Sequence, residues 1–269
     1  MDYPATERLD LVENLHGHEV TDPYRWLEDA DDPRTKEWSA AQDELFARHR
    51  DGFGPAHERY RDRLDGLARA GTVSTPVWRG ERRFFLRREP SQEHAVLLVA
   101  GADGVERVLI DPMVLDPDGT TTLDIWQPSL SGDRLAYGIS AGGTEESSLF
   151  VLDVATGAVL EGPIDRARHT SVGWAAGDEE YFYQRHLEGE EGIHHRRVYR
   201  HRVGADPVTD DLVFGADAER ATYHGVRTSH DGRWLIVSAS RGTDPRNDLW
   251  LADLAAAELA FVAVHTGHE

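Results

Sequence analysis

A chain of 269 residues with 49 Asp and Glu against 29 Lys and Arg, a formal charge of −20, can bury a core in one or two domains but lacks the net basic face that a phosphate backbone requires. Without a cysteine it holds no disulfide, no thiolate zinc site and no thiol nucleophile, a composition that suits a reducing compartment. The opening MDYPATERLD has neither the basic nor the apolar segment of a secretory signal, and no run approaches the ~18 apolar residues of a membrane helix; the sequence therefore predicts a cytoplasmic protein with no nucleic-acid and no membrane partner.

Residues 1–71 read as a helical segment. Asp32-Pro33 supplies an N-cap followed by proline at the first helical position, and Trp38, Ala41 and Leu45 then recur at helical spacing until Gly52 and Gly54 stop the helix. A second helix is predicted from Pro55, with Tyr60, Leu64 and Leu67 on one face, ending near Gly71.

Residues 72–269 change to short runs of β-branched and aromatic residues separated by Gly, Asp and Pro turns, the texture of strands and hairpins. One unit recurs: a Gly or Asp turn, a charged residue and an apolar strand, in GERRFFLRRE, SGDRLAYGIS, AGDEEYFYQR and HDGRWLIVSA. With Arg83, Arg134, Glu180 and Arg233 taken as equivalent, the intervals are 51, 46 and 53 residues, and each copy is followed by a second strand. The interval from Arg134 to Asp153 is 19 and that from Arg233 to Asp253 is 20. Antiparallel repeats of this length are the mark of β-propeller blades, which a β-sandwich would not reproduce. The predicted fold is mainly β, about four propeller blades behind an N-terminal helical segment, and the final AFVAVHTGHE reads as a strand just begun, so that the propeller does not close within this chain.

Gly138-Ile139-Ser140-Ala141-Gly142 matches the G-x-S-x-G pattern of hydrolase nucleophiles, which requires a strand, a sharp turn and then a helix whose N–H groups hold the oxyanion. No helical period follows Gly143. The segment predicts a β-hairpin with the loop AGGTEES, not a nucleophile elbow. His186, His194, His195 and His201 concentrate imidazoles but lack the spacing of a helical zinc pair, and GADGVERV lacks the order of a phosphate-binding glycine loop. No metal and no cofactor is predicted.

The segment VENLHGHEVTDPYRWLED, followed by DDPRTKEWSAAQ, resembles the start of the prolyl oligopeptidases, cytosolic serine peptidases of the α/β-hydrolase class that cleave short peptides after proline; the run DPYRWLED over residues 22–29 is the most specific part. The stretch from RVLIDPMVLDPDG through LFVLDVATG resembles that family's first and second blades, and VYRHRVGADPVTDDLVF and SRGTDPRNDLWLADL its third and fourth, so that essentially all 269 residues are covered. The related oligopeptidase B shares the architecture, but DPYRWLED and TTTLDIWQPSLSGD look more like the prolyl type. The resemblance implies a seven-bladed propeller and a C-terminal α/β-hydrolase domain that carries the Ser, Asp and His. This chain is then the propeller portion, with no catalytic residue of its own, inactive alone, its partners being that hydrolase domain and an oligopeptide substrate that the propeller filters by size. Tyr24, Trp26, Leu27 and Trp38 are expected to bury against the hydrolase domain. By blade position, His169, Tyr223 and Thr243 are the substrate-pocket residues the resemblance implies. The alternative from another class is a freestanding propeller-like binding module that uses AGGTEES and EGEEGIHH as recognition loops.

Overall fold

The computed structural model describes residues 3–189 and 194–267, and the chain divides into two compact units between Arg69 and Ala70. Among the described residues no helix is long and apolar enough to cross a membrane.

The first unit holds a hairpin within the stretch expected to be helical: β1 (Val12–Leu15) pairs antiparallel with β2 (His18–Thr21) across a two-residue His16-Gly17 turn. Both strands are largely exposed, so no alternation of apolar and polar residues announced them. The motif DPYRWLED then makes a 3-10 turn, Arg25–Glu28, and explains its own composition. Trp26 is buried within this unit, its indole N–H donating to the Glu7 carbonyl at 3.1 Å, while its carbonyl accepts from the Thr35 hydroxyl at 2.9 Å. Arg25 bonds Asp22 at 2.6 Å and pairs with Glu13 of β1. The expectation that Trp26 waits for another domain is therefore corrected: its cover is local. Helix α1 (Pro33–Asp51) is capped as predicted, Asp32 accepting from the Arg34 N–H at 2.8 Å, and α2 (Pro55–Ala68) follows. Neither helix buries a single side chain in the unit, and Phe46, Tyr60, Leu64 and Leu67 are all more than half exposed.

The second unit is four antiparallel sheets, each a meander. The first holds β3 (Thr72–Val73) and β4 (Val77–Arg79), both paired with β5 (Arg82–Arg88), then β6 (Val96–Ala100) and β7 (Glu106–Ile110). After a single helical turn, α3 (Pro112–Leu115), the second holds β8 (Thr121–Pro128), β9 (Arg134–Ala141), β10 (Ser148–Asp153) and β11 (Val159–Ile164). The third holds β12 (Val172–Trp174), β13 (Glu180–His186), β14 (Arg196–Arg202) and β15 (Asp211–Phe214), and the fourth β16 (Thr222–Thr228), β17 (Trp234–Arg241), β18 (Asn247–Asp253) and β19 (Phe261–His265). The run near AFVAVHTGHE is thus the last strand of the fourth blade, not the first of another.

The turn from first to second strand closes with the same backbone bond in three blades: the N–H of Ser129, Ala175 and Ser229 donates to the carbonyl of Arg134, Glu180 and Trp234 respectively, at 2.9 Å. Trp234, not Arg233, is therefore the equivalent of Arg134. With that one-residue correction the interval to Asp153 in the second blade and to Asp253 in the fourth becomes identical.

Side-chain alternation along the middle strands builds the core between blades. On β9, Leu135 and Tyr137 face the first blade, packing with Phe84, Leu97 and Ile110, while Ala136 between them packs with Trp174, Tyr181 and Tyr183 of the third. On β13, Tyr181 and Tyr183 face the second blade and Phe182 the fourth, against Val226, Leu235 and Val237. Strands buried on both faces carry apolar residues at successive positions, which is why RLAYG and EYFYQ lack a polar face.

Candidate functional site

In a four-stranded meander the turn between the second and third strands and the link leaving the fourth strand fall at the same end of the sheet. Backbone bonds gather these segments. Ala167, in the link after β11, donates to Ser147 of the β9–β10 turn at 3.2 Å, His186 to Arg166 at 3.0 Å, His195 to Arg220 at 3.0 Å and Gly242 to Ala221 at 3.1 Å. His169, Tyr223 and Thr243 all belong to this end.

Two of the three are brought together by a residue the sequence reading did not name. Arg196, the first residue of β14 and buried, donates to the His169 carbonyl at 3.3 Å and sets its guanidinium carbon 4.5 Å from the centroid of the Tyr223 ring. Burial pulls the Arg196 pKa down, Tyr223 pushing the other way. Its carbonyl accepts from His224, whose Nδ1 lies 2.9 Å away and whose imidazole burial pushes down to about 4, so that ring is neutral at physiological pH and donates there. His169 lies in a left-handed turn with φ of 52°, its ring half exposed and its Nε2 3.4 Å from Glu145 Oε2. Thr243 stands exposed in the β17–β18 turn, just beyond Arg241, whose register partner is Thr222; it makes no hydrogen bond to His169 or Tyr223.

Beside His169 lies a cavity of about 220 Å³ lined by Asp124, Ile125, Glu145, Ser147, His169 and Thr170. Arg168, next to His169 in the chain, donates to Glu145 at 2.9 Å and Glu146 at 2.8 Å, and those bonds raise its pKa. The arrangement is a small polar recess in which the Ser147 hydroxyl donates to Asp124 at 2.5 Å and the Glu145 carboxylate is held by arginine: it can orient a hydrogen-bonding ligand. The signal for Arg196 was present only as the arginine-rich strand HHRRVYRHR; nothing local distinguishes it from Arg197, which instead bonds the Ala218 carbonyl at 2.6 Å.

Ser140 is not in this recess. It sits in β9 opposite Thr122, buried, its hydroxyl 3.3 Å from Thr122 Oγ1. The strand runs to Ala141, so Ser140 precedes the turn instead of belonging to the loop, and after Gly142 and Gly143, at φ of 65° and 69°, the chain enters β10 and not a helix. His201 has both ring nitrogens engaged by carboxylates, Asp210 at 2.6 Å and Glu161 at 3.0 Å, and His186 is buried on β13. Of EGEEGIHH, residues 190–193 lie outside the described residues.

The family model for the N-terminal β-propeller domain of prolyl oligopeptidase matches residues 3–268. The chain belongs to the prolyl oligopeptidase family. It is 29% identical over 273 residues to a prolyl endopeptidase of Elizabethkingia meningoseptica and 28% identical to that of Elizabethkingia miricola, in each case over 99% of this chain and 38% of the relative. A solved structure from a study of two prolyl endopeptidases superposes with a TM-score of 0.82 at 28% identity, over 99% of this chain and 40% of that one. Prolyl oligopeptidase B of Galerina marginata, solved with a 35mer hydrolysis and macrocyclization substrate, shares the fold with a TM-score of 0.79 at 22% identity, over 97% of this chain and 40% of that chain. Against these prolyl oligopeptidases the chain spans about two fifths of their length, the part that holds propeller blades.

Proposed function

We propose that this chain is the propeller portion of a cytoplasmic serine-type prolyl oligopeptidase. Residues 72–269 contribute blades, and residues 1–71 are the segment before them. The observation that carries the reading is the match of residues 3–268 to the N-terminal propeller of that family, with relatives that are themselves prolyl endopeptidases. The chemistry is then an acyl transfer run by a C-terminal α/β-hydrolase domain: a serine, deprotonated by a histidine that an aspartate orients, attacks the prolyl carbonyl, and N–H or O–H donors hold the oxyanion. The propeller contributes access control, since a narrow channel over the site admits short peptides and shelters the reaction from bulk water.

In this reading His169, Tyr223 and Thr243, with Arg196 between the first two, form the propeller's side of the substrate pocket. The exposed Phe46 of α1 and Tyr60, Leu64 and Leu67 of α2 belong to the docking face for the hydrolase domain, since exposed apolar side chains of this size fit an interface.

The test has two parts. A chromogenic proline-containing peptide incubated with the 269-residue chain is expected to show no turnover; turnover by this chain alone overturns the assignment of the chemistry to another domain. The gene downstream of Glu269 is expected to encode further blades and then a strand-turn-helix G-x-S-x-G; a stop codon there would favour the freestanding binding module.

A further inference from the structure

The first strands of the four sheets converge on a cavity of about 420 Å³, within the ~300–1,000 Å³ range of ligand sites. Its ionisable lining residues are Arg79 at the end of β4, Arg227 on β16 and His230 just beyond it, and among the described residues no carboxylate lines it. The contrast is with the other cavities of the unit, each of which has at least one carboxylate in its lining: the 650 Å³ cavity between the third and fourth blades sets Glu180, Asp231 and Asp253 beside Arg200 and Arg233, the recess beside His169 has Asp124 and Glu145, and a fourth cavity, on the first two blades, sets Asp103 beside Arg82 and Arg107. In a chain with 49 acidic and 29 basic residues, a lining with basic groups alone is a local reversal of the field.

One cationic group of this lining is built in and the other is open to a ligand. Arg79 is part-buried and tied by backbone carbonyls, its Nε donating to Ser129 at 3.0 Å and Nη1 to Trp78 at 2.9 Å. Burial pulls its pKa down, the one opposing charge being Asp178. Asp178 is itself occupied, accepting from the Ser129 hydroxyl at 2.9 Å, the Leu130 N–H at 3.1 Å and Ser131. Arg227 makes no ion pair and no side-chain hydrogen bond among the described residues. Its backbone is nevertheless fixed by close approach of two blades: a Cβ on Gly173 of β12 would stand 3.0 Å from the Arg227 carbonyl carbon and 3.1 Å from the Thr228 nitrogen. Trp174 binds β12 to β8 in the same wall, donating to the Gln127 carbonyl at 3.0 Å.

A part-buried guanidinium without a carboxylate carries a desolvation cost that a bound anion would offset, and a second guanidinium in the same cavity allows forked contacts to two oxygens. We propose that this cavity binds anionic oxygens, the carboxylates of an acidic peptide, held by Arg79 and Arg227 with the Thr228 hydroxyl as a further donor. A free inorganic oxyanion offers the same chemistry, and the experiment separates the two sources. The site stands independently of the peptidase reading, because it is tested by binding alone.

The experiment is calorimetric titration of the 269-residue chain at low ionic strength with a capped tri-glutamate peptide, a capped tri-lysine peptide and sodium sulfate. The net charge of −20 repels anions from the surface as a whole, so binding of tri-glutamate requires a local site. Tri-glutamate is expected to bind and tri-lysine not. Arg227→Gln, at an exposed position whose side chain makes no hydrogen bond or ion pair among the described residues, is expected to weaken tri-glutamate at least tenfold; Arg63→Gln, exposed on α2 in the other unit, is expected to leave it unchanged. Arg79→Gln provides a second variant, read with its melting curve because it also loses the bond to Ser129. Sulfate that binds in the wild type, fails in Arg227→Gln and outcompetes tri-glutamate assigns the same site to a free oxyanion. Equal tri-glutamate binding in Arg227→Gln and wild type, equal binding of tri-lysine, or no binding of either anion overturns the proposal.

Discussion

Raising the pH from 6 to 10 is expected to loosen the seam between the second and third blades through one buried imidazole. His201 on β14 has no exposed side-chain surface and lies between Asp210 Oδ1 at 2.6 Å and Glu161 Oε2 at 3.0 Å, the latter on β11 of the neighbouring blade. Glu161 also accepts from the Tyr181 hydroxyl at 2.8 Å and Asp210 from Tyr183 at 2.7 Å, so every oxygen pair is met by donors. Burial opposes the charge on His201, but the bonds to Asp210 and Glu161 more than offset it and push its pKa up to about 9. For Glu161, burial opposes ionisation, and the bonds from His201, the Gly204 N–H and the Tyr181 hydroxyl together overcome it, leaving its pKa lowered.

Because the folded pKa of His201 stands above the unfolded value of about 6.5, its contribution is fully present below pH 6.5 and is lost as pH rises through about 9. That interval corresponds to about 3 kcal/mol, or a fall of roughly 6–12 °C in melting temperature for a unit of this size. His201→Gln removes the charge and leaves two buried carboxylates facing one another, a loss of about 3–5 kcal/mol near pH 6. Urea unfolding followed by tryptophan fluorescence at pH 6, 8 and 10 should show the two proteins far apart at pH 6 and nearly equal at pH 10. A wild type equally stable at pH 6 and 10, or a variant with the same pH slope as the wild type, would refute the reasoning.

Ser140→Ala removes a buried hydroxyl whose partner is Thr122; a stability change of about 1 kcal/mol or less is expected, with unchanged peptide hydrolysis in a full-length enzyme, and abolished hydrolysis would restore Ser140 as a nucleophile. Gly162→Ala forces a side chain into φ of 116° with its Cβ driven into the Phe150 ring; a destabilisation of about 3 kcal/mol, read by urea titration, is expected. Arg196→Gln unlinks Tyr223 from the His169 turn and, in a full-length enzyme, should raise KM for a peptide substrate severalfold with kcat less affected; an unchanged KM would remove these residues from the pocket.

The helices and blades were legible because their signals are local. Asp32-Pro33 and Gly52 bracket α1, and the turn-charge-strand unit repeats wherever a meander must reverse direction. The hairpin β1–β2 was not, since exposed strands carry no buried period, and the equivalence of Trp234 with Arg134 was visible only in the hydrogen bond that closes each turn. The same division holds for the sites. Position within a blade motif pointed to His169 and Tyr223, but Arg196 joins them across two blades, and no neighbour in sequence marks it.

The sequence by itself determined the family, through the motif around Trp26 and the recurring blades, and it determined that Ser140 stands in a hairpin. Only the tertiary structure decided which charges meet. Glu161 and His201 are 40 residues apart, and Arg79 and Arg227 belong to the first and last of the four sheets. Such contacts depend on how whole sheets pack, and the packing of sheets is set by the summed alternation of many apolar residues, not by any residue at the contact.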